Sequence, residues 1–427
     1  MNTDDMRALF SQAMSAMYRS EVPHYAALLD LVARINRQVL MLDPMLASTM
    51  GQFGERERLD QERHGAIRVG TADELCLLRR LFAVMGMVPV GYYDLSAAGV
   101  PVHSTAFRAT GPESLRRSPF RLFTSLLRLD LVADPDLRTR AASILQRRRI
   151  VTPRALALIE MFEREGVLDE AAAEEFIREA LQTFRWHSEA TVDAATYEAL
   201  RAAHPLVADI VCFKGPHINH LTPRVLDIDA AQAAMESLGM QAKAKIEGPP
   251  ARHCGILLRQ TSFKALSEPV RFGTEPGVHV ARFGEIEQRG VALTRTGRAL
   301  YDRLLDQGNS ADVPDAFRAF PDDHDVMRRD GLAYYRYVPV ADLPLGAQSL
   351  DEAIQAGSVR AEPILYEDFL PVSAAGIFRS NLAGSQAETL HASPRQATLE
   401  AALGCDILDP FDLYAEQSNR SAAAIAL

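Results

Sequence analysis

The chain has 427 residues, of which 46 are basic and 56 are acidic, so its formal net charge is -10. Hydrophobic residues make up 48% of the chain and charged residues 24%, which is typical of a folded globular protein and excludes a largely disordered one. The negative charge argues against broad binding of polyanions such as nucleic acids. At roughly 150 residues per domain, the length allows two or three domains.

Membrane insertion and secretion are not expected from the sequence. No apolar run reaches the roughly 18 residues that a membrane helix needs, and the first ten residues carry acids where a signal peptide carries positive charge. The four cysteines, Cys76, Cys212, Cys254 and Cys405, form no CxxC pair. Their spacing excludes a zinc-finger pattern and a disulfide scaffold. We therefore expect a cytoplasmic protein.

The N-terminal part of the chain has the texture of helices. Apolar side chains recur at helical spacing over residues 1–50, and the pattern continues over 55–87, where Asp73 is predicted to cap a helix. Residues 88–109 are rich in Tyr, Val, Pro and Gly, which predicts short strands joined by turns. Residues 135–200 are again predicted to be helical.

A basic cluster, Arg147 to Arg149, lies within the second helical stretch. Helices with basic charge raise the possibility of a DNA-binding helix-turn-helix. The alternative is a solvated helix end, where cations complement the helix dipole. The flanking helices are acidic, which favours the alternative.

The texture changes to α/β after residue 205. The segment 205–213 is predicted to be a strand, 227–240 a helix, and 254–263 and 277–290 two further strands. The order β-α-β-β fits a compact module with a helix on a sheet. We therefore predict an α+β protein with a mixed sheet and three portions. These are a mainly helical N-terminal portion over residues 1–204, a β-α-β-β module over 205–300, and a C-terminal extension of helices and loops over 301–427.

His64 and Arg68 are the first pair that could carry chemistry. They are four residues apart and share one face if the segment is helical. A histidine ligand beside an arginine would place a metal ion next to a group that binds anions. The alternative is a surface helix with scattered charges.

Two further pairs lie in the module. His217 and His220 stand three residues apart, so in an extended segment at most one of them faces a given site. Glu285 and Glu287 project from the same face of a predicted strand, which is costly unless a cation or hydrogen bonds compensate. The alternative is an exposed face on which both acids pair with neighbours such as Arg289. Two histidines and one carboxylate together are typical of non-haem Fe(II) enzymes that activate oxygen.

Five separated segments resemble those of a known family, the 2-oxoadipate dioxygenase/decarboxylases, also called 2-hydroxyglutarate synthases. The resemblance extends from about residue 20 to about residue 385. The segments are RHGAIR, GPHINHLTPRVLDID, LLRQTSFKAL, RFGEIEQRG and YEDFLPVSAAGIF. FGEIEQRG and INHLTPRVLDI are also similar to the ligand-bearing strands of 4-hydroxyphenylpyruvate dioxygenase, and both families belong to the vicinal oxygen chelate (VOC) superfamily.

The resemblance implies a fold and a set of site residues. The fold is a VOC-like mixed sheet or partial barrel. The metal ligands would be His64, His220 and Glu285. Arg68 would bind a substrate carboxylate, and Val372 and Ser373 would lie against the substrate. Because His64 comes from the N-terminal portion, the site would be completed across a contact between portions.

The resemblance also implies the reaction. The enzyme would use Fe(II) and O2 to decarboxylate and hydroxylate 2-oxoadipate, giving 2-hydroxyglutarate and CO2 in lysine catabolism. Gln260 follows a core strand and is a candidate for substrate binding, although a strand-end hydrogen bond is equally compatible with its position. The alternatives are a VOC-type dioxygenase acting on another 2-oxo acid and, from another class, a metal-stabilised DNA-binding regulator. Neither a nucleic acid nor a membrane is an expected partner, and Tyr92, Tyr93 and His103 have no predicted role.

Overall fold

The computed structural model describes residues 1–52, 55–307, 313–341, 349–370 and 395–425. The helices up to residue 211 are α1 (Thr3–Glu21), α2 (Tyr25–Leu42), α3 (Pro44–Gln52), α4 (Glu55–Gln61), α5 (Ala72–Ala83), α6 (Pro112–Arg117), α7 (Pro135–Arg147), α8 (Pro153–Glu165), α9 (Glu170–Gln182), α10 (Ala194–Ala203) and α11 (Pro205–Val211). The helices after that residue are α12 (Ile228–Met235), α13 (Arg295–Gln307), α14 (Val313–Ala316), α15 (His324–Arg329), α16 (Leu350–Gln355), α17 (Gln396–Leu403) and α18 (Pro410–Ala423). The strands are β1 (Arg63–Val69), β2 (Val88–Asp94), β3 (Val102–Arg108), β4 (Arg121–Leu127), β5 (His220–Pro223), β6 (Leu258–Ser262), β7 (Ser267–Phe272), β8 (Glu275–Val280), β9 (Phe283–Arg289), β10 (Tyr335–Pro339) and β11 (Val359–Pro363).

A mixed sheet organises the described part of the chain. Its seven strands run in the order β2-β3-β4-β1-β5-β9-β6. Strand β1 lies parallel to β4 and antiparallel to β5, β5 lies parallel to β9, and β9 lies antiparallel to β6. The predicted α+β class with a mixed sheet is confirmed. The sheet is continuous across residue 204, so the first two of the three predicted portions share one sheet, whereas β10 and β11 of the third portion form a separate two-stranded sheet.

One face of this sheet is apolar and is covered by helices. Ile67 and Val69 of β1 belong to the same buried cluster as Leu122 of β4 and Leu221 of β5. In helix α1, Met6, Phe10, Met14 and Tyr18 are fully buried at a spacing of four residues, and they belong to that cluster. The helical N-terminal portion therefore supplies the cover for one side of the sheet.

Close packing ties this cover to the strands that carry the predicted ligands. The Tyr18 hydroxyl lies 2.9 Å from the carbonyl oxygen of Asn219 and 2.6 Å from that of Phe283, just before β5 and at the start of β9. Gly65 follows His64 and Gly284 precedes Glu285, and both glycines lie on the face of the sheet that the helices cover. A Cβ at Gly65 would lie 2.5 Å from the Ile218 side chain, and one at Gly284 would lie 2.2 Å from Phe263. Only glycine fits at both positions.

The opposite face of the sheet carries polar side chains. Residues directly opposite each other on paired strands project to the same face, and so do alternate residues along one strand. The register pairs His64 with Thr222 and Ala66 with His220, and it pairs His220 with Phe283 two residues before Glu285. The register therefore places His64, His220 and Glu285 on one face.

Four local predictions were wrong. The segment 277–290, predicted as one strand, is divided between β8 in a two-stranded sheet and β9 in the seven-stranded sheet. Residues 63–69 form a strand and not the continuation of a helix, and residues 205–211 form α11 and not a strand. Residues 206–211 of α11 are all buried, so the segment shows no amphipathic period, and periodicity alone cannot separate such a short apolar run from a strand. The helix predicted after Asp73 is instead capped by Thr71, whose hydroxyl accepts a hydrogen bond from the backbone N–H of Glu74.

The basic cluster at 147–149 does not form a continuous exposed patch. The Arg148 guanidinium turns inward, donates to Glu74 at 2.6 Å and contacts the carbonyl oxygen of Ile210. Arg147 and Arg149 are exposed on either side of it. This geometry removes the central residue of the basic surface that a DNA-binding helix would need. No helix in the described part of the chain is both long and apolar enough to cross a bilayer.

Candidate metal centre

His64 and Arg68 reach the polar face from β1. The sequence predicted a shared face from helical spacing, but the segment is a strand in which residues four apart also project to the same side. His64 is fully buried and Arg68 is 7% exposed. The shared face is therefore found, although its cause is the two-residue repeat of a strand.

His64, His220 and Glu285 converge on this face. His64 Nε2 lies 3.1 Å from Glu285 Oε1, and His220 Nδ1 lies 3.5 Å from the same oxygen. Each residue offers a ligand atom within 4.8 Å of those of the other two, and all three side chains are fully buried. The two imidazole rings are nearly perpendicular, with centroids 5.4 Å apart. The structure thus brings together the three side chains that the resemblance singled out.

The hydrogen bonds of Glu285 are concentrated on one oxygen. Thr222 donates its hydroxyl to Oε1 at 3.0 Å, and Gln260 donates its side-chain amide to the same atom at 3.0 Å. Within the described residues, Glu285 Oε2 is buried and has no hydrogen-bond partner. A buried carboxylate oxygen without a donor is costly unless a cation lies beside it. Two imidazoles and this oxygen fit a divalent transition metal ion.

Glu287 holds the outer side of His64. Its Oε2 lies 3.0 Å from His64 Nδ1, and its carboxylate also accepts two hydrogen bonds from Arg289, at 2.8 and 2.7 Å. The expected alternative, in which Glu287 pairs with Arg289, is therefore present, but inside the protein and not on an exposed face. A carboxylate on the outer nitrogen of a histidine ligand fixes the orientation of the ring and increases its basicity.

The charges in this cluster stabilise ionised carboxylates. Burial alone would raise the pKa of Glu285, but His220, His64 and the Thr222 hydroxyl outweigh burial and lower it. Burial would likewise raise the pKa of Glu287, but Arg289 and His64 hold it well below its usual range. Both acids are therefore held in the charged form, which is the form that binds a cation.

Aromatic rings enclose the cluster. Phe369 packs edge-on against His64 with ring centroids 5.0 Å apart, and Phe283 stacks on His220 with ring centroids 5.0 Å apart. Lys243 lies near the same cluster, and its burial lowers its pKa to about 8, although the charges of Glu285 and Glu247 oppose this effect. Each ring covers one side of a histidine with apolar surface, which limits the access of water to an ion.

The two histidines predicted in the module, His217 and His220, lie in different clusters. His220 lies with His64, whereas His217 lies with His279 and Asp209 in another buried group whose ligand atoms are also within 4.8 Å of one another. The Arg68 guanidinium donates to Asp209 at 2.8 Å. Arg68 therefore links β1, which carries His64, to the second group.

The other predicted site residues have different outcomes. Gln260 contacts Glu285 directly, so its amide is engaged with a predicted ligand. Val372 and Ser373 lie outside the described residues. The Tyr93 hydroxyl accepts a hydrogen bond from the backbone N–H of Phe369 at 3.4 Å, which places Tyr93 behind the ring that covers His64.

A cavity of about 670 Å³ reaches Arg289, the residue that binds Glu287. Arg58, Arg224 and Arg289 are among the arginines that line it, and none of the three predicted ligands does. Arg58 and Arg224 pair with Glu62 at 3.3 and 3.0 Å. Size alone would direct attention to this cavity, but its arginines are paired with carboxylates, and the donor set for a metal ion lies with His64.

Two functional contacts were missed in the sequence. Thr222 stands two residues after His220 on the same strand, so the alternation of side chains could have indicated its place beside Glu285. Asp209 interrupts an apolar run, and an acid within such a run is a signal of a buried charge pair. The incorrect strand assignment over residues 205–213 hid its partner, Arg68.

Comparison with known proteins agrees with the resemblance seen in the sequence. Residues 10–381 match the family described as 2-oxoadipate dioxygenase/decarboxylase. A protein of that name from Pseudomonas putida is 54% identical, with 100% of this chain and 97% of the relative covered. The one from Escherichia coli is also 54% identical, over 99% of this chain and 98% of the relative. A crystal structure of hydroxyglutarate synthase from Pseudomonas putida in complex with 2-oxoadipate has a TM-score of 0.93 and 54% identity, and 100% of this chain and 98% of that chain are covered. The chain belongs to the 2-oxoadipate dioxygenase/decarboxylase family.

Proposed function

We propose that this chain is an Fe(II)-dependent dioxygenase that converts 2-oxoadipate and O2 into 2-hydroxyglutarate and CO2. The observation that carries the proposal is the convergence of His64, His220 and Glu285 in a buried, aromatic-lined centre. Family membership supports the same reaction, because the relatives are named for it and one was crystallised with 2-oxoadipate.

His64, His220 and Glu285 would hold the iron. Two neutral imidazoles and one carboxylate form a ligand set that leaves coordination positions open on the ion. When bound there, Fe(II) would supply a Lewis acid for the 2-oxo acid group of the substrate and electrons for the reduction of O2. The remaining tasks, orientation of the substrate and exclusion of water, belong to the residues of the chain.

The outer contacts would keep the ligands in position. Glu287 holds the Nδ1 side of His64 and leaves Nε2 directed to the centre. Thr222 and Gln260 both bind Oε1 of Glu285, so they orient the carboxylate with Oε2 directed away from them. We therefore propose that Gln260 acts on the substrate through Glu285 and the ion.

Arg68 would bind the far carboxylate of the substrate. A six-carbon diacid has one carboxylate near the metal and needs a cation for the other, and a guanidinium binds a carboxylate through two parallel hydrogen bonds. Arg68 projects from the same face of β1 as His64, four residues away. By the family resemblance, Val372 and Ser373 would lie against the same substrate.

The proposal is tested by loading the protein with Fe(II) without oxygen, adding 2-oxoadipate and then admitting air. We expect O2 consumption with CO2 and 2-hydroxyglutarate formed in equal amounts. The same assay with 2-oxoglutarate and 2-oxohexanoate tests selection for chain length and for the second carboxylate. If another 2-oxo acid is turned over faster, that acid replaces 2-oxoadipate as the proposed substrate. If no acid of the series supports O2 consumption, the proposed reaction is refuted.

A further inference from the structure

The buried group formed by Asp209, His217 and His279 has no part in the chemistry described so far. Asp209 lies on α11, His279 on β8, and His217 in the segment before β5. All three side chains are buried, between 4% and 7% exposed. Buried charge of this kind requires partners, and the partners indicate what the group does.

Both oxygens of the Asp209 carboxylate are occupied. Oδ2 accepts from Arg68 Nη1 at 2.8 Å, while Oδ1 lies 3.1 Å from His217 Nε2 and 2.9 Å from His279 Nε2. Neutralising a buried arginine needs only one carboxylate. Two histidines on the far oxygen do more, because they fix the plane of the carboxylate and with it the direction of the Arg68 contact.

The histidine rings are themselves fixed. His279 Nδ1 lies 2.9 Å from the hydroxyl of Tyr197, and Trp186 packs edge-on against His217 at 4.7 Å and parallel to His279 at 6.0 Å between centroids. Four side chains, those of His217, His279, Tyr197 and Trp186, thus determine the position of one carboxylate. Side chains packed in this way hold a functional group more precisely than a flexible surface pair.

We propose that Asp209 is a positioning residue that aims the Arg68 guanidinium at the far carboxylate of a dicarboxylic 2-oxo acid, with His217 and His279 fixing Asp209. The inference rests on the proposed function, in which Arg68 binds that carboxylate. A guanidinium has five N–H donors, so it can hold Asp209 and a substrate carboxylate at the same time. Asp209 would thereby set the preference for diacids over monoacids without touching the substrate.

A second metal ion held by the same three residues is the competing interpretation. The spacing of their ligand atoms permits it. The Arg68 guanidinium, however, already lies 2.8 Å from the carboxylate, and an ion at the same group would be repelled by this positive charge. The contacts with Arg68, His217 and His279 give both oxygens of the Asp209 carboxylate a partner without an ion.

The test compares Asp209→Asn with the parent protein in binding two acids of equal length. 2-Oxoadipate ends in a carboxylate and 2-oxohexanoate ends in a methyl group, and their dissociation constants are measured without oxygen on the iron-loaded protein. We expect the constant for 2-oxoadipate to rise on the order of tenfold to a hundredfold, as for the loss of a charge-assisted hydrogen bond. The constant for 2-oxohexanoate should be nearly unchanged. Equal weakening for both acids, or no change for either, would overturn the proposal.

Glu362→Gln is the matched control. Glu362 is a buried carboxylate that pairs with two arginines, Arg336 at 2.8 Å and Arg360 at 2.9 Å, on strands β10 and β11. Its substitution removes the same charge from a similar contact away from the two histidine clusters. We expect neither dissociation constant to change, and a change equal to that of Asp209→Asn would overturn the proposal.

Two further variants keep the outcome decisive. If Asp209→Asn does not fold, His279→Gln should give a smaller shift with the same preference, and equal weakening for both acids would overturn the proposal. If Arg68→Gln leaves binding of 2-oxoadipate unchanged, the role of Arg68 fails, and the inference fails with it. If Arg68→Gln loses the preference for the diacid but Asp209→Asn does not, only the inference about Asp209 fails.

Metal analysis tests the competing interpretation. If the parent protein binds a second equivalent of metal and His279→Gln loses it, the metal interpretation is favoured and the proposal is overturned.

Discussion

Glu287 and His64 form a contact of 3.0 Å between Oε2 and Nδ1, on the side of the imidazole that faces away from Glu285. The ring is therefore held between two carboxylates from alternate positions of one strand. The inner one, Glu285, shares the centre with His220, and the outer one is bound by Arg289. In this arrangement the proposed ligand, Glu285, and the group proposed to orient His64, Glu287, are different residues, although both are glutamates on the same face.

The first prediction concerns Glu287→Gln. The substitution keeps the shape of the side chain but removes the charge that orients His64, so we expect the affinity for Fe(II) to fall by about tenfold to a hundredfold. Anaerobic metal titration measures the change, with Glu362→Gln as the control. If Glu287→Gln abolishes metal binding while Glu285→Ala keeps it, the ligand is Glu287, two residues further along the strand.

The second prediction concerns the proposed ligands themselves. His64→Ala, His220→Ala and Glu285→Ala should each abolish retention of iron or turnover, because each removes one of three ligands from a buried site. Metal analysis after gel filtration and O2 consumption are the measurements. His253→Ala, at an exposed histidine, is the control and should retain both. Full iron content and turnover in any of the three variants would remove that residue from the site.

The third prediction concerns Arg68→Lys. Lysine keeps the charge but cannot form the two-point contact of a guanidinium, so we expect kcat/KM for 2-oxoadipate to fall by about tenfold or more. The iron content should stay at the level of the parent protein, because Arg68 is not one of the proposed ligands and its guanidinium binds Asp209. Steady-state kinetics and metal analysis separate the two effects. An unchanged kcat and KM would remove Arg68 from substrate binding.

The fourth prediction concerns the pH dependence of stability at His103. Burial, together with the charge of Arg128, lowers the pKa of His103 in the folded state to about 4 from an ordinary value of 6.5. Below that ordinary value the unfolded chain takes up a proton that the folded protein does not. The contribution of neutral His103 is thus complete above pH 6.5 and is lost as the pH falls toward 4.

His103→Gln should therefore lose less stability than the parent protein between pH 7 and pH 4, by roughly 3 kcal/mol. Urea unfolding at a series of pH values measures the difference. Any loss of packing in the variant is the same at each pH and cancels in the comparison. Parallel curves for the two proteins would show that His103 does not titrate in this way.

The sequence alone determined which residue types form the proposed centre. Through the alternation of side chains along a strand, it also determined which of them project to the same side. Glu285 and Glu287 project to one side in any strand, and a spacing of four residues places His64 and Arg68 on one face in a strand as well as in a helix. For this reason the wrong assignment of residues 63–69 did no harm to the site. The choice of His220 over His217, and of Glu285 over Glu287, came from the family resemblance and not from spacing.

Only the tertiary structure decided which of these groups meet. His64 and Glu285 are 221 residues apart in the chain, and the register of β1, β5 and β9 brings them to 3.1 Å. The contact between Asp209 and Arg68 was hidden because a fully buried helix and a buried strand have the same apolar pattern. Local spacing describes one element at a time, whereas a metal centre and a held guanidinium depend on pairing between elements, which long-range packing selects.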